Sequence, residues 1–298
     1  MPNTDVRVPG ALAGRVVAIT GGARGMGRSY TLAFLAAGAK VVSTDRSWTG
    51  AEPLDDALTG GGKNVLIADM DVTSDADIDR VYAATLERFG TVDVLINNAA
   101  LRQRDLFPPH GRVTTLETKD SDWEKSFAVN VFGALKVTRR FIRPMIEARR
   151  GSILNTVSRG ILNHAQGGAY MANKPDSQEM PYMSSKAALA SLSFYLADDV
   201  KEHNVAVNVL IPGHTRTTGF DEQNLARFAQ GGKHVGPHPL VPEHIVPIAL
   251  HLAAQESFIT GKLFHVMQWN VEHGLGGSER WRDSSFSYDA LRATGATS

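Results

Sequence analysis

Apolar residues recur in a fixed alternation along the chain: short, almost unbroken β-branched runs, each followed by a longer stretch where they return at helical spacing. The first run covers 16–20 and stops at Gly21-Gly22; from Met26 the apolar positions pass through Tyr30, Leu32, Phe34 and Leu35 to Gly38. This predicts a strand, a glycine turn and a helix. Runs over 40–44 and 64–68 predict a second strand ending at Asp45 and a third ending near Asp69 and Asp71. A helix is expected from about Ser74, a suitable N-cap, to Phe89, with Gly90 as its stop. A fourth strand over 92–96 and a loop from Leu101 to Lys119 lead into a long helix over 122–148, which Pro144 should kink. A fifth strand over 152–157, a helix over 183–203, a sixth strand over 205–211 and a seventh over 262–266 follow.

Strands that are apolar on both faces and alternate with helices imply an α/β, doubly wound parallel sheet of about seven strands covered by helices on both sides. No linker composition, internal repeat or low-complexity tract divides the 298 residues, so 1–298 reads as a single domain. Equal numbers of basic and acidic residues, 31 of each, give no field of one sign and exclude a nucleic-acid binder or a polybasic membrane-surface protein. The absence of cysteine excludes disulfides, thiolate metal sites and a cysteine nucleophile, and points to a reducing, cytoplasmic location. The N-terminus does not read as a signal peptide, and no apolar run is long enough to span a bilayer.

The first strand-to-helix turn reads Thr20-Gly21-Gly22-Ala23-Arg24-Gly25-Met26-Gly27. Glycines here let the backbone approach a pyrophosphate, and the helix start offers unpaired N–H groups and a positive dipole end. Asp45 stands 18 residues after Gly27, at the end of the next strand. A carboxylate there accepts hydrogen bonds from adenosine ribose hydroxyls and repels a 2′-phosphate, which favours NAD over NADP. Arg24 and Arg46 work against that preference, because a guanidinium binds a phosphate well.

This Thr-Gly-x-x-x-Gly-x-Gly spacing resembles that of the short-chain dehydrogenase/reductase family, which has a Rossmann-type fold. The resemblance extends over roughly residues 12–270. Asn97-Asn98-Ala99-Ala100 is similar to the family's Asn-Asn-Ala-Gly, with Ala100 for glycine. Asp71-Val72 resembles the pair that the family sets beside the adenine, and Pro212-Gly213-His214-Thr215-Arg216-Thr217 its Pro-Gly-x-x-x-Thr. The cofactor residues so implied are Gly21, Arg24, Gly25, Met26, Gly27, Asp45, Arg46, Asp71, Val72, Asn98, Ala99, Tyr182, Lys186, Pro212, Gly213, Thr215 and Thr217.

Tyr182 and Lys186 stand four apart on a predicted helix, roughly 6 Å between their starting points. A nearby ammonium lowers a phenol's pKa and suits it to move an alcohol proton. Tyr170 and Lys174 have the same spacing, but Pro175 follows Lys174 directly and disfavours helix there. Lys186 runs instead into an amphipathic helix, so Tyr182 and Lys186 are taken as the family's pair. Ser158, ending the fifth strand, resembles the family's substrate-binding serine. Tyr182 lies 24 residues after it, whereas Tyr170 has the family's usual spacing; an insertion over 165–180 at the active-site mouth would account for the difference. Asn130 matches the asparagine with which the family holds a water near the lysine.

The resemblance implies reversible hydride transfer between NAD(H) and a secondary alcohol or ketone. Tyr182 would be general acid/base, with Lys186, Ser158 and Asn130 assisting. Two other readings are a non-catalytic NAD-dependent regulator on this fold and a sugar epimerase or dehydratase, whose substrate domain would need more chain after Pro212. His234, His238 and His244 lie close together but lack the helical spacing of zinc motifs, so the 213–241 stretch reads as a substrate-covering loop, without a metal. Leu101, Phe107, Ile161, Leu162, Met171, Met180, Phe220 and Phe228 offer an apolar surface to a neutral, hydrophobic or cyclic substrate. The family implies a homotetramer, or a dimer, packed through the helices over 122–148 and 183–203. The tail over 271–298 extends past the family's usual end and is expected to cross to a neighbour or cover a pocket.

Overall fold

The seven strands pair in parallel in the order β3-β2-β1-β4-β5-β6-β7. They are β1 Val16–Thr20, β2 Lys40–Asp45, β3 Val65–Asp69, β4 Val94–Asn97, β5 Gly151–Thr156, β6 Val205–Ile211 and β7 Leu263–His265. The computed structural model describes residues 12–54, 59–102, 106, 115–161, 180–229, 238–255 and 257–295. Every residue of β1, β4, β5 and β6 is buried, as the unbroken apolar runs require of strands covered on both faces. Central Val17 lies between Val41 of β2 and Val94 of β4.

Helices α1 (Gly25–Ala36) and α2 (Asp75–Phe89) follow β1 and β3. Ser74 caps α2 by accepting the Asp77 N–H at 3.2 Å, and Gly90 ends it in the left-handed region at φ 80°. The chain direction across the sheet reverses between β1 and β4, and this opens a crevice at their carboxyl ends. One core layer, with Tyr30, Phe34, Ile248, Leu252 and Trp269, fills the α1 side; the other, with Ile78, Val81, Val137, Phe141 and Met145, fills the α2 side.

The expected long helix over 122–148 is three helices, α3 (Asp120–Phe127), α4 (Ala134–Phe141) and α5 (Arg143–Ala148). Pro144 sits in the first turn of α5, where its missing N–H costs nothing, so the break precedes the proline. Between α3 and α4, residues Ala128–Gly133 form a wider π-type turn, a feature that apolar periodicity does not encode. Gly133 passes so close to Val72 that an added Cβ would lie 2.7 Å from Val72 Cγ2.

Helix α6 is Tyr182–Val200, with a 3-10 turn over Lys201–His203, close to the expected 183–203. The 213–241 stretch is not all loop: it contains helix α7, Thr218–Ala229. Helices α8 (Val246–Ala254), α9 (Val266–Glu272) and α10 (Tyr288–Gly295) complete the chain. No helix among the described residues is long and apolar enough to cross a membrane.

A polar network runs through the α2-side core. Asn97 Nδ2 donates to Asn155 Oδ1 at 2.8 Å and to Thr138 Oγ1 at 2.9 Å; Asn155 Nδ2 donates to Ser193 Oγ at 2.8 Å. These bonds join β4, β5, α4 and α6, and all four residues are at most 3% exposed. Asn155→Ala leaves partners unsatisfied in the core, and should lower stability in urea unfolding by about 1–3 kcal/mol without changing the far-ultraviolet spectrum.

Candidate active site

The glycine turn is shaped by close backbone approach. Gly21 and Gly25 take positive φ of 70° and 54°, and a Cβ on Gly27 would lie 1.8 Å from the Gly21 carbonyl oxygen. Arg24, at the N-cap of α1, makes no side-chain cap, so the first-turn N–H groups face the crevice without one. The Arg24 guanidinium instead donates to the Thr49 carbonyl at 2.8 Å. Asp45 accepts the Ala23 N–H at 3.1 Å and the Ser47 N–H at 3.3 Å, which fixes its carboxylate beside the turn with acceptor capacity left over.

Across the crevice, Thr20 Oγ1 accepts the N–H groups of both Asn98 and Ala99 at 3.0 Å. Asn98 Nδ2 returns to the carbonyls of Thr20 and Gly21 at 3.1 Å. Asp71 Oδ1 is taken by Thr73 N–H and hydroxyl, and Val72 is 7% exposed against Gly133. The cradle suits a dinucleotide: uncapped helix N–H groups and a turn with no room for side chains for the phosphates, and the Asp45 carboxylate at the end of β2 for ribose hydroxyls.

After β6, Gly213 N–H donates to His244 Nε2 at 3.1 Å, and His244 Nδ1 lies 2.8 Å from the Val241 carbonyl. The partners assign the proton to Nδ1, and both ring nitrogens are used. His244 is fully buried, and burial pushes its pKa down to about 4. It is an internal strut for the turn at Pro212-Gly213. His238 also bonds carbonyls, those of Pro239 and Phe286, while His234 lies outside the described residues. Thr215 Oγ1 donates to the Gly213 carbonyl at 3.1 Å, and Thr217 Cγ2 stands 3.3 Å from where a Gly25 Cβ would be, facing the glycine turn.

Lys186 is 2% exposed, donates to the Thr156 carbonyl at 2.9 Å, and has its Nζ 5.9 Å from the centre of the Tyr182 ring. Burial lowers its pKa to about 8. Thr156 ends β5 two positions before half-buried Ser158, so this bond sets the lysine beside the serine-bearing turn. Tyr182 opens α6, with Pro181 as its N-cap. Asn130 does not reach Lys186 with its side chain. Its amide exchanges two bonds with the Leu101 backbone, at 2.8 and 2.9 Å, and donates to Ser185 Oγ at 2.9 Å, and Ser185 in turn donates to the Tyr182 carbonyl at 2.7 Å.

Tyr170, Lys174 and residues 165–179 of the expected insertion lie outside the described residues, as do Phe107, Leu162 and Met171. Ile161 is buried and Met180 half-buried near α6. Phe220 packs against the tail, 5.4 Å from Phe286, and Phe228 lies under Arg292 at 4.8 Å. The sequence singled out neither Asn155 nor Ser185, and it named Thr20 and His244 without the bonds they make here. Asn155 alone carried a signal, as an amide inside an otherwise apolar strand.

A profile of the family described as short chain dehydrogenase matches residues 15–227. The chain is 48% identical over 281 residues to fluoren-9-ol dehydrogenase of Terrabacter sp. (strain DBF63), covering 94% of this chain and 78% of that protein. It is 30% identical to 3-oxoacyl-(acyl-carrier-protein) reductase FabG of Salmonella typhimurium, over 85% of this chain and 96% of that one. Among solved structures, a short-chain type dehydrogenase/reductase from Mycobacterium marinum superposes with TM-score 0.68 at 24% identity, covering 85% and 94% of the two chains. A second, from Burkholderia xenovorans, gives TM-score 0.69 at 24% identity over 86% and 96%. The chain belongs to the short-chain dehydrogenase/reductase family. It is an NAD(P)-dependent oxidoreductase of the alcohol dehydrogenase and ketoreductase class.

The His244 strut has a pH signature. Between pH 6.5 and about 4 the unfolded chain binds a proton that the folded imidazole refuses, so stability falls as pH drops through that window. His244→Gln should lose less over the same interval, by on the order of 3 kcal/mol in urea unfolding at the two pH values.

Proposed function

We propose that this enzyme oxidises a hydrophobic, fused-ring secondary alcohol with NAD, using Tyr182 as the general base. The buried Lys186 beside the Tyr182 ring carries this reading: a cation with little water around it favours a phenolate strongly, and the phenolate in turn favours the ammonium. A nicotinamide cofactor, which the glycine turn, Asp45 and the 212–217 stretch would hold, would supply the acceptor for the hydride leaving the alcohol carbon. Tyr182 takes the hydroxyl proton, leaving the ketone, and returns it in the reverse direction. Ser158 orients the substrate oxygen from the turn after β5. Asn130 holds the Leu101 backbone and, through Ser185, the start of α6, so its side chain keeps Tyr182 in place.

Asp45 supports NAD over NADP, since its carboxylate is fixed beside the glycine turn and the Arg24 guanidinium is already bonded to the Thr49 carbonyl. Likeness to a fluoren-9-ol dehydrogenase over nearly the whole chain supports the ring class, as do apolar Ile161 and Met180 near α6. The reading of the whole chain as one domain rests on the single seven-stranded sheet. Homotetramer formation through the helical faces is supported by exposed aromatic side chains there, Phe132, Phe194 and Tyr195 at 55%, 40% and 75%.

Fluoren-9-ol and NAD should give steady NADH absorbance, with NADP much poorer. Tyr182→Phe should keep NAD affinity while kcat falls by about 10²–10⁴-fold; near-normal turnover would move the base elsewhere, with Tyr170→Phe the next variant. Lys186→Met should abolish turnover yet leave the cofactor-free protein at least as stable at pH 7. In the wild type, stability should rise from about pH 8 toward 10.5, where the unfolded chain binds the proton that the folded lysine has lost. Lys186→Met should show no such rise.

A further inference from the structure

The described part of the C-terminal segment is woven into the loop that follows β6. Leu240 N–H donates to the His214 carbonyl and Arg216 N–H to the Leu240 carbonyl, both at 2.8 Å. On the other edge, Val241 N–H donates to the Trp281 carbonyl and Asp283 N–H to the Pro239 carbonyl, both at 2.9 Å. Three short segments thus form a ladder outside the main sheet, with Leu240 bridged to Thr215 on one side and Arg282 on the other. Trp281 and Phe286 are buried beneath it, at 2% and 5% exposure.

Arg216 is the hub. Its Nε and Nη2 fork onto Asp221 of α7 at 2.9 to 3.1 Å, and its Nη1 reaches Asp283 of the tail at 3.0 Å. Burial would raise the Asp283 carboxyl, but hydrogen bonds from Ser285 and Arg216 outweigh it and hold the pKa below the usual range. Phe286 lies under the guanidinium at 5.0 Å and meets Phe220 of α7 edge-on at 5.4 Å. At the far end of α7, Arg292 covers Phe228. Helix α7 is therefore held at both ends by tail residues, and Arg216 sits between Thr215 and Thr217 on the loop that faces the glycine turn.

We propose that Arg216, Asp283 and Phe286 are positioning residues for substrate binding: the tail fixes α7 over the substrate side before the alcohol arrives. A wall already in place removes the ordering cost of closing a free loop, and the benefit appears in KM. This rests on the dehydrogenase reading above. The adenosine half of the cofactor is held elsewhere, by the glycine turn and Asp45, so loosening the tail should separate the two ligands.

The test uses the full-length Asp283→Asn and Phe286→Leu variants with fluoren-9-ol and NAD. KM for the alcohol should rise about tenfold or more, with kcat and the NAD Kd, read by tryptophan quenching, changed less than about twofold. Backbone hydrogen exchange over 218–229 should accelerate while 16–36 stays as in the wild type. Unchanged KM and exchange would overturn the proposal, as would parallel loss of NAD affinity and global stability. If Asp283→Asn does not fold, Phe286→Leu reads the same quantities. A wild-type enzyme inert toward fluoren-9-ol would sink the substrate reading, and the exchange measurement alone would then decide the tail's role.

Discussion

Everything at the site depends on how tightly β1 and β4 are joined where their helices diverge. Thr20 accepts two backbone N–H groups from the β4 exit, and Asn98 hands its amide back to two carbonyls at the β1 exit. Neither exit loop can move without leaving a polar group unpaired in a half-buried crevice, which costs about 1–3 kcal/mol per group. The glycine turn exploits that fixed floor. An added Cβ on Gly21 would come within 2.9 Å of Ala99 Cα, so the two loops approach too closely there for any side chain.

The same economy extends from the floor to the reactive end. Lys186 is held by one carbonyl, on β5, and Tyr182 by the start of the helix that carries the lysine. That helix is pinned to the sheet by the Asn97–Asn155–Ser193 chain and to the π-type turn by Asn130 and Ser185. These supporting groups are uncharged, so among the residues named here the lysine's cation is the charge available to attract a phenolate.

Strand positions were legible because burial on both faces writes an unbroken apolar run, and β6 follows the expected 205–211 to the residue. The glycine turn and Asp45 were legible because close backbone approach and ribose recognition each demand one residue type at one place. The breaks in the 122–148 helix, the 218–229 helix and the His244 strut were not. A π-type turn keeps apolar spacing nearly helical, α7 has a partly polar sequence whose order comes from tail contacts, and a histidine's role is set by which atoms lie beside its two nitrogens. Spacing from Ser158 pointed to Tyr170 while Pro175 and the helix after Lys186 pointed to Tyr182; Lys186 is buried with its Nζ 5.9 Å from the Tyr182 ring, and Tyr170 lies outside the described residues.

The two buried titratable side chains of the site show opposite uses of desolvation. His244 is kept neutral, and its neutrality is what lets it accept the Gly213 N–H and donate to Val241 at once; a proton on Nε2 would convert an acceptor into a donor facing a donor. Lys186 is kept short of water yet within reach of a group that can become an anion. A phenolate at Tyr182 would pair with this poorly hydrated ammonium, so the cost of burying Lys186 is offset while the base is ionised. The tail acts on neither of them directly. By ordering the loop between His214 and Ala229 it sets the distance from which a substrate meets this charge, which separates the proton-handling part of the site from the part that selects the substrate.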